Sequence, residues 1–218
     1  AFYTDNLLFF FTYTQNLLFS FKGWPAGSQM LNHLWSLAIE EQFYLLWPFV
    51  VHFVPRNRLL LVGFFAVVTT NILRYLTIDD PAFFYTFSLC RWDGLILGSM
   101  SAVLLRQHLT LLNKFILPMT LMSFAATIFV VTTSNSVLAI TAFCFFFASL
   151  VLLCFDQGIV GRALSGLFSF EIFKTIGKYS YGMYLFHLPI YTLYVVYLSH
   201  PPFIATLITT LTVSVASY

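Results

Sequence analysis

Charged residues are scarce in this sequence of 218 residues, where Asp, Glu, Lys and Arg together make up 8%. A typical soluble domain carries about 25%, whereas hydrophobic residues here reach 60% and include 27 phenylalanines. A soluble core of this size cannot bury so many aromatic side chains. The shortage of charge therefore excludes a disordered chain and an ordinary soluble enzyme, and it indicates a polytopic membrane protein.

Cysteines and basic clusters are also few. We interpret the three cysteines, Cys90, Cys144 and Cys154, as buried thiols because they lie in apolar stretches without disulfide or metal-ligand spacing. The ten Lys and Arg residues are dispersed and the net charge is +2, which predicts no nucleic-acid partner. The sequence shows neither a metal-ligand cluster nor a glycine-rich nucleotide loop, so we predict no metal and no bound cofactor.

Long uncharged stretches predict the architecture, because a spanning helix needs about 20 apolar residues. They favour an all-α bundle with no separate soluble domain. About eight spans are predicted, near residues 2–21, 33–54, 59–76, 83–105, 115–133, 137–155, 179–199 and 203–218. Residues 132–136 would form the turn between the fifth and sixth spans, and His200–Pro202 would form the turn between the last two. We expect residues 1–218 to form a single transmembrane domain that is incomplete at its N terminus and at its C terminus.

Cations divide unevenly between the two predicted sides of the membrane. One side carries seven of them, namely Arg56, Arg58, Arg106, Lys114, Arg162, Lys174 and Lys178. The other side carries Lys22 and Arg74. The positive-inside rule therefore predicts that the seven-cation side is cytoplasmic.

Ionisable side chains within the predicted spans are the first candidates for function, because burying a charge in a bilayer costs about 2.5–3.5 kcal/mol. In the second span, Ser36, Glu40 and Tyr44 recur every four residues and share one helical face. Glu41 points toward a neighbouring face. The alternative interpretation is that these groups only tie helices together.

The fourth span carries Arg91 and Asp93, which are two residues apart and cannot face one another on a helix. Each is therefore expected to find a partner elsewhere. By residue count, Glu40 and Arg91 each lie about 12 Å from the outer boundary. This matched depth predicts that they are coupled in one site. Arg91 would either form a structural ion pair with Glu40 or Glu41 or contact the substrate directly.

The seventh span places polar and aromatic side chains along one stripe, formed by Ser180, Tyr184, His187, Tyr191 and Tyr194. Pro189 is expected to kink this helix just beyond His187. His187 would lie near the middle of the bilayer. A satisfied core histidine and interfacial tyrosines are the alternative interpretation.

Three blocks strongly resemble the signature of the membrane-bound acyltransferase 3 family. His33–Pro48 reads HLWSLAIEEQFYLLWP, Arg91–Gly98 reads RWDGLILG, and Gly177–Pro189 reads GKYSYGMYLFHLP. The resemblance implies integral membrane enzymes, usually in the bacterial cytoplasmic membrane. Such enzymes transfer acetyl or other short acyl groups from cytoplasmic acyl-CoA to hydroxyls of extracytoplasmic glycans or glycolipids.

The resemblance also implies roles for individual residues. Catalytic roles fall to Glu40, Tyr44, Arg91 and His187. Substrate contacts are expected from Trp35, Ser36, Glu41, Asp93, Ser180 and Tyr184. Recognition of CoA is expected from the basic residues Arg56, Arg58, Arg106 and Lys114, or from outside this chain. The family's early spans with their catalytic histidine have no match here, so that base is expected upstream of Ala1.

A secondary transporter is the alternative function. Intramembrane Glu, Arg and His side chains also line proton and ion pathways. The sequence makes no prediction about the oligomeric state.

Overall fold

The computed structural model describes residues 2–25, 30–107, 109–133, 135–198 and 203–217. Every regular element within these ranges is helical, which confirms the all-α prediction. The α-helices are α1 (Phe2–Asp5), α2 (Leu7–Phe11), α3 (Gln15–Lys22), α4 (Trp35–Phe53), α5 (Leu59–Leu76), α6 (Pro81–Thr86), α7 (Asp93–Gln107), α8 (Leu109–Thr132), α9 (Ser136–Leu153), α10 (Ile159–Phe168), α11 (Glu171–Leu198) and α12 (Phe203–Ala216). Short 3₁₀ turns cover Asn32–Leu34, Arg56–Arg58 and Ser88–Cys90.

Helical segments of sufficient length and apolarity support the membrane assignment. In the described ranges, three segments could cross a bilayer: Arg56–Leu76, Leu112–Thr132 and Ser136–Leu153. The prediction of about eight spans is not confirmed. Helix α4 is long, but it contains the adjacent carboxylates Glu40 and Glu41.

The first predicted span, residues 2–21, is wrong as a single helix, because the chain forms α1, α2 and α3 instead. Polar side chains bond to their own backbone at both breaks. Asn6 Nδ2 donates to the Phe2 carbonyl at 2.7 Å, and Thr12 Oγ1 donates to the Leu8 carbonyl at 2.8 Å. Tyr13 then takes a φ of 52°, in the left-handed region that ends a helix.

The fourth predicted span, residues 83–105, is also interrupted. Helix α6 begins after Asp80, whose carboxylate accepts from the Phe83 amide at 3.1 Å, and it ends where Phe87 becomes extended. The 3₁₀ turn Ser88–Cys90 follows before α7 begins at Asp93. Arg91 consequently lies in a break between helices rather than inside a span.

The remaining boundaries agree more closely with the sequence. Helix α5 matches its predicted span, and α9 begins at Ser136, capped by Asn135, which accepts from the Leu138 amide at 3.1 Å. Helix α11 begins at Glu171 rather than near residue 179 and continues through Pro189. His200–Pro202 and Ser134, which belong to predicted turns, lie outside the described residues.

Close helix packing fixes which ends of the helices lie together. Helices α5 and α7 are antiparallel, since Gly63 packs against Met100 while Arg74 contacts Asp93. The α4–α5 turn and the end of α7 therefore lie at the same end of the bundle. Helix α12 packs along α11, where Gly182 admits Ser214 so closely that an added Cβ would lie 3.1 Å from its Cβ.

Candidate active site

The start of α4 meets the middle of α11 through a chain of hydrogen bonds. Ser36 Oγ lies 2.6 Å from the Tyr184 hydroxyl, which donates to the His33 backbone carbonyl. A phenol has only one proton, so Ser36 must be the donor to Tyr184. The sequence signature of α4 and the late signature of α11 are thus joined in space, as a shared site requires.

Two imidazoles lie beside this contact. His187 Nδ1 is 2.6 Å from the Tyr184 carbonyl, and His33 Nε2 is 3.2 Å from the Leu185 carbonyl. The two ring centroids are 5.0 Å apart. His187 therefore lies level with the turn that precedes α4, close to the middle of α11.

Glu40 lies one helical turn after Ser36 and is half-buried. Tyr44 and Tyr184 are among its electrostatic neighbours. Within the described part of the chain, no basic side chain approaches its carboxylate within ion-pair distance, and the carboxylate makes no hydrogen bond. A half-buried carboxylate without a donor is free to accept a hydrogen bond from a substrate hydroxyl.

Arg91 does not pair with Glu40. Its guanidinium instead stacks over the Trp35 ring, 5.5 Å from the ring centroid. Trp35 and Glu40 are five residues apart on α4 and point to different faces of that helix, so Arg91 packs away from the Glu40 face. The predicted ion pair is absent from the described structure. The break between α6 and α7 carries Arg91 to the Trp35 side.

Asp93 forms its ion pair with Arg74, as Nη2 lies 2.7 Å from Oδ1 and both side chains are almost fully buried. Arg74 Nε also donates to the Cys90 carbonyl at 2.6 Å, and Thr141 Oγ1 donates to Asp93 Oδ2 at 2.6 Å. The prediction that Asp93 finds a partner away from Arg91 is confirmed. Arg74, however, is not a loop cation, which removes one member of the predicted outer set.

Three other candidates are not brought into the contact between α4 and α11. Tyr44 is 56% exposed, and Glu41 is also exposed. Ser180 is exposed and bonds to the Gly177 carbonyl of its own helix at 2.8 Å. The predicted polar stripe on α11 therefore contributes chiefly Tyr184 and His187.

A buried amide network supports α4 from behind. Gln42 Nε2 donates to Asn16 Oδ1 at 2.8 Å, and Ser88 Oγ donates to Gln42 Oε1. Asn16 Nδ2 reaches the Thr86 carbonyl at 3.1 Å. These bonds fix α3 and the α6–α7 break against the helix that carries Glu40.

Comparison of the sequence with known protein families agrees with the resemblance of the three blocks. Residues 2–218 match the family described as the acyltransferase domain, of the acyltransferase 3 type. This chain belongs to that family. It is an acyltransferase-family chain by sequence, and the resemblance inferred from the three blocks is confirmed.

Two curated relatives of this acyltransferase chain carry more specific names. It is 32% identical to the peptidoglycan O-acetyltransferase OatA of Listeria monocytogenes, over 88% of this chain and 33% of that protein. It is 27% identical to the O-acetyltransferase OatA of Staphylococcus aureus, over 73% of this chain and 29% of that protein. The chain thus spans about a third of their length. No solved structure matches it.

The acyltransferase chain also carries its predicted CoA-binding cations on the surface. Arg56 and Arg58 are exposed in the turn after α4, and Arg106 is exposed at the end of α7. Lys114 is exposed in the first turns of α8. The antiparallel packing of α5 and α7 gathers the three arginines at one end, which is the end of α4 away from Ser36.

Sequence reasoning missed two side chains that the structure makes prominent. His33 marked only the edge of a predicted span, and Arg74 was assigned to a loop. The signal for His33 was its position one turn before Ser36 and on the same face. Arg74 offered a weaker signal, since it interrupts an otherwise apolar helix.

Proposed function

We propose that this chain belongs to an integral membrane O-acetyltransferase of the bacterial cytoplasmic membrane. The enzyme would transfer an acetyl or other short acyl group from acyl-CoA to hydroxyls of an extracytoplasmic glycan or glycolipid. The names of both relatives support O-acetyl transfer, and the Listeria relative supports peptidoglycan as the acceptor class.

One structural observation carries the proposal. Glu40 presents a half-buried carboxylate without an ion-pair partner in the described chain, one helical turn after Ser36, whose hydroxyl lies 2.6 Å from that of Tyr184. Acyl transfer needs a hydroxyl held in a fixed orientation beside a proton acceptor. In the proposed site Glu40 accepts a hydrogen bond from the acceptor hydroxyl or orients the base, and His187 supplies a second hydrogen-bonding group.

The acyl donor would approach from the opposite end of α4. Thirteen residues separate Glu40 from Phe53, which corresponds to about 20 Å of helix. The exposed Arg56, Arg58, Arg106 and Lys114 would bind the phosphates of CoA, while its extended thiol arm carries the acyl group toward Glu40. Acyl-CoA is a substrate in this proposal, and no bound cofactor is needed.

Arg91 is assigned a separate task. Its guanidinium lies over Trp35 and makes no hydrogen bond or ion pair with the described residues. It could therefore stabilise negative charge that develops on the thioester oxygen. This assignment needs the substrate to reach between the Trp35 face and the Glu40 face.

The experiment uses the full-length protein in proteoliposomes, with radiolabelled acetyl-CoA on one side and a glycan acceptor on the other. We expect ester-linked label on the glycan, and we expect Glu40→Gln to lower its rate by about 100-fold or more. Glu171→Gln is the matched control, because Glu171 is exposed and its pair with Lys174 lies on the surface.

The outcomes separate the two candidate functions. Ester formation that depends on Glu40 supports the transferase. Glutamate-dependent proton or solute flux without ester formation would contradict it and favour the transporter. Equal ester formation by wild type and Glu40→Gln would remove Glu40 from the site.

A further inference from the structure

Pro189 leaves one backbone carbonyl of α11 without its usual donor. In an α-helix the amide of residue 189 would bond to the carbonyl of residue 185, but proline has no amide hydrogen. Leu185 O is therefore available to another donor. Pro189 lies inside an uninterrupted helix, so the carbonyl stays in place while lacking its helical partner.

His33 occupies this vacant position. Its Nε2 lies 3.2 Å from Leu185 O, and a carbonyl oxygen can only accept. Nε2 therefore carries the hydrogen. The contact crosses from the turn before α4 to the middle of α11, between residues far apart in sequence.

A second hydrogen bond joins His33 to α11. The Tyr184 hydroxyl donates to the His33 carbonyl and accepts from Ser36, 2.6 Å away. His33 thus uses its side chain and its backbone to hold two successive residues of α11. His187, one turn further along α11, lies with its ring 5.0 Å from that of His33.

We propose that His33 is a positioning residue, which uses its Nε2–H bond to the carbonyl vacated by Pro189 to hold Tyr184 and His187 against the Glu40 face of α4. This inference rests on the proposed acyl transfer. His33 acts through these neighbours, by fixing the groups that orient the acceptor hydroxyl. We call the hydrogen bond from His33 Nε2 to the Leu185 carbonyl, together with that from Tyr184 to the His33 carbonyl, the His33 latch. The other ring nitrogen, Nδ1, is buried and lacks a partner among the described residues, so it plays no part in this latch.

Two substitutions at His33 separate the two ring nitrogens. Glutamine places its amide nitrogen close to the position of Nε2, so His33→Gln can still donate to Leu185 O. Asparagine is shorter, so His33→Asn retains a polar group near Nδ1 but cannot reach that carbonyl. We expect His33→Gln to keep kcat near wild type, and His33→Asn to lower kcat by about 100-fold through misplacement, without changing the KM for acetyl-CoA.

Pro189→Ala tests the same latch from its other side. Alanine restores the amide, which competes with His33 for Leu185 O, and it also favours the helix. We expect kcat to fall by about 10-fold while thermal stability in detergent stays equal or rises. A purely structural role for His33 would make activity and stability change together.

A histidine outside the site supplies the control for these substitutions. His52 is exposed at the far end of α4, so His52→Gln and His52→Asn should both behave as wild type. If His33→Asn retains activity and His33→Gln loses it, Nδ1 is the functional atom and the latch is wrong. Equal effects of both would also contradict it.

A spectroscopic measurement tests the latch independently of activity. Nitrogen-15 NMR of histidine-labelled full-length protein should show His33 with hydrogen on Nε2, and Pro189→Ala should shift that signal. A signal that does not respond to Pro189→Ala would overturn the latch even if the wild-type protein forms no ester. Absence of ester formation alone would count against the proposed function and not against the latch.

Discussion

Two groups of polar side chains in this molecule differ in how completely their hydrogen bonds and charges are satisfied. In the first, Arg74 and Asp93 are 0% exposed as whole residues and pair at 2.7 Å. Arg74 also donates hydrogen bonds to the Cys90 carbonyl and to Thr141 Oγ1, and Thr141 Oγ1 donates to Asp93. We call this group the Arg74 cluster. It joins α5, α7 and α9 at one level of the bundle.

The second group lies between α4 and α11 and contains His33, Ser36, Glu40, Tyr184 and His187, which we call the α4–α11 cluster. Here Glu40 has no ion-pair partner among the described residues, and His33 Nδ1 is buried without a hydrogen bond. His187 is exposed. This cluster keeps hydrogen-bonding capacity that the Arg74 cluster has used up.

The difference indicates which cluster stabilises the fold and which serves chemistry. A buried charge pair with all bonds made is costly to disturb, since loss of one partner leaves an unpaired charge. Unsatisfied polar groups are rare in native proteins and point to sites where a ligand completes the bonding. The predictions below test this division, in order of decreasing effect.

The largest effect is expected in the Arg74 cluster. Asp93→Asn leaves Arg74 buried without a counter-charge, so it should lower the free energy of unfolding by about 3–5 kcal/mol. Thermal unfolding in detergent measures this loss. The double variant Arg74→Met/Asp93→Leu should be less destabilised than the sum of the single variants, and strict additivity would contradict the pairing.

Replacing His187 should have the next largest effect, and on activity rather than on folding. We expect His187→Gln to retain measurable acyl transfer, because the amide preserves hydrogen bonding, and His187→Ala to retain less. Initial rates of ester formation measure both. If His187→Gln abolishes turnover in folded protein, His187 acts as the base and its supporting role is wrong.

Glu40 and Arg91 should now behave independently. The sequence predicted coupling, but the structure puts Arg91 over Trp35 and leaves the two charges without an ion-pair partner among the residues that it describes. In a double-mutant cycle on transfer rates, Glu40→Gln and Arg91→Gln should combine additively to within about 0.5 kcal/mol. A larger coupling energy would show that the two side chains act as one unit and would contradict their separate tasks.

The smallest effect is expected at the hydroxyl pair. Tyr184→Phe removes one donor to the His33 carbonyl and one acceptor for Ser36, which should cost about 1 kcal/mol of stability. Chemical unfolding measures this value. Tyr194→Phe, which loses only the 2.8 Å contact with Thr209, is the matched control on the same helix.

Apolar runs were sufficient to predict much of the fold. They placed α5 and α12 at the correct starts and separated α8 from α9, because long uncharged runs have few alternatives to a helix. They could not predict the breaks within 2–21 and 83–105. Those breaks depend on side-chain bonds such as Asn6 to Phe2 and on the network around Ser88.

The candidate site was predictable only in part. Motif residues Ser36, Glu40, Tyr184 and His187 were found from spacing and resemblance, and the structure brings their two helices together. The partner of Asp93 could not be predicted, since it depends on how α5 crosses α7. His33 was missed because its role depends on a carbonyl vacated by Pro189, on a helix far along the chain.

One paired measurement tests the division between the two clusters most directly. Thermal unfolding and ester formation would be recorded on the same preparations of full-length wild type, Asp93→Asn and Glu40→Gln. The account predicts that Asp93→Asn loses stability, whereas Glu40→Gln unfolds like wild type and loses acyl transfer. A Glu40→Gln protein that is as unstable as Asp93→Asn, or a stable Asp93→Asn protein without transfer, would contradict it.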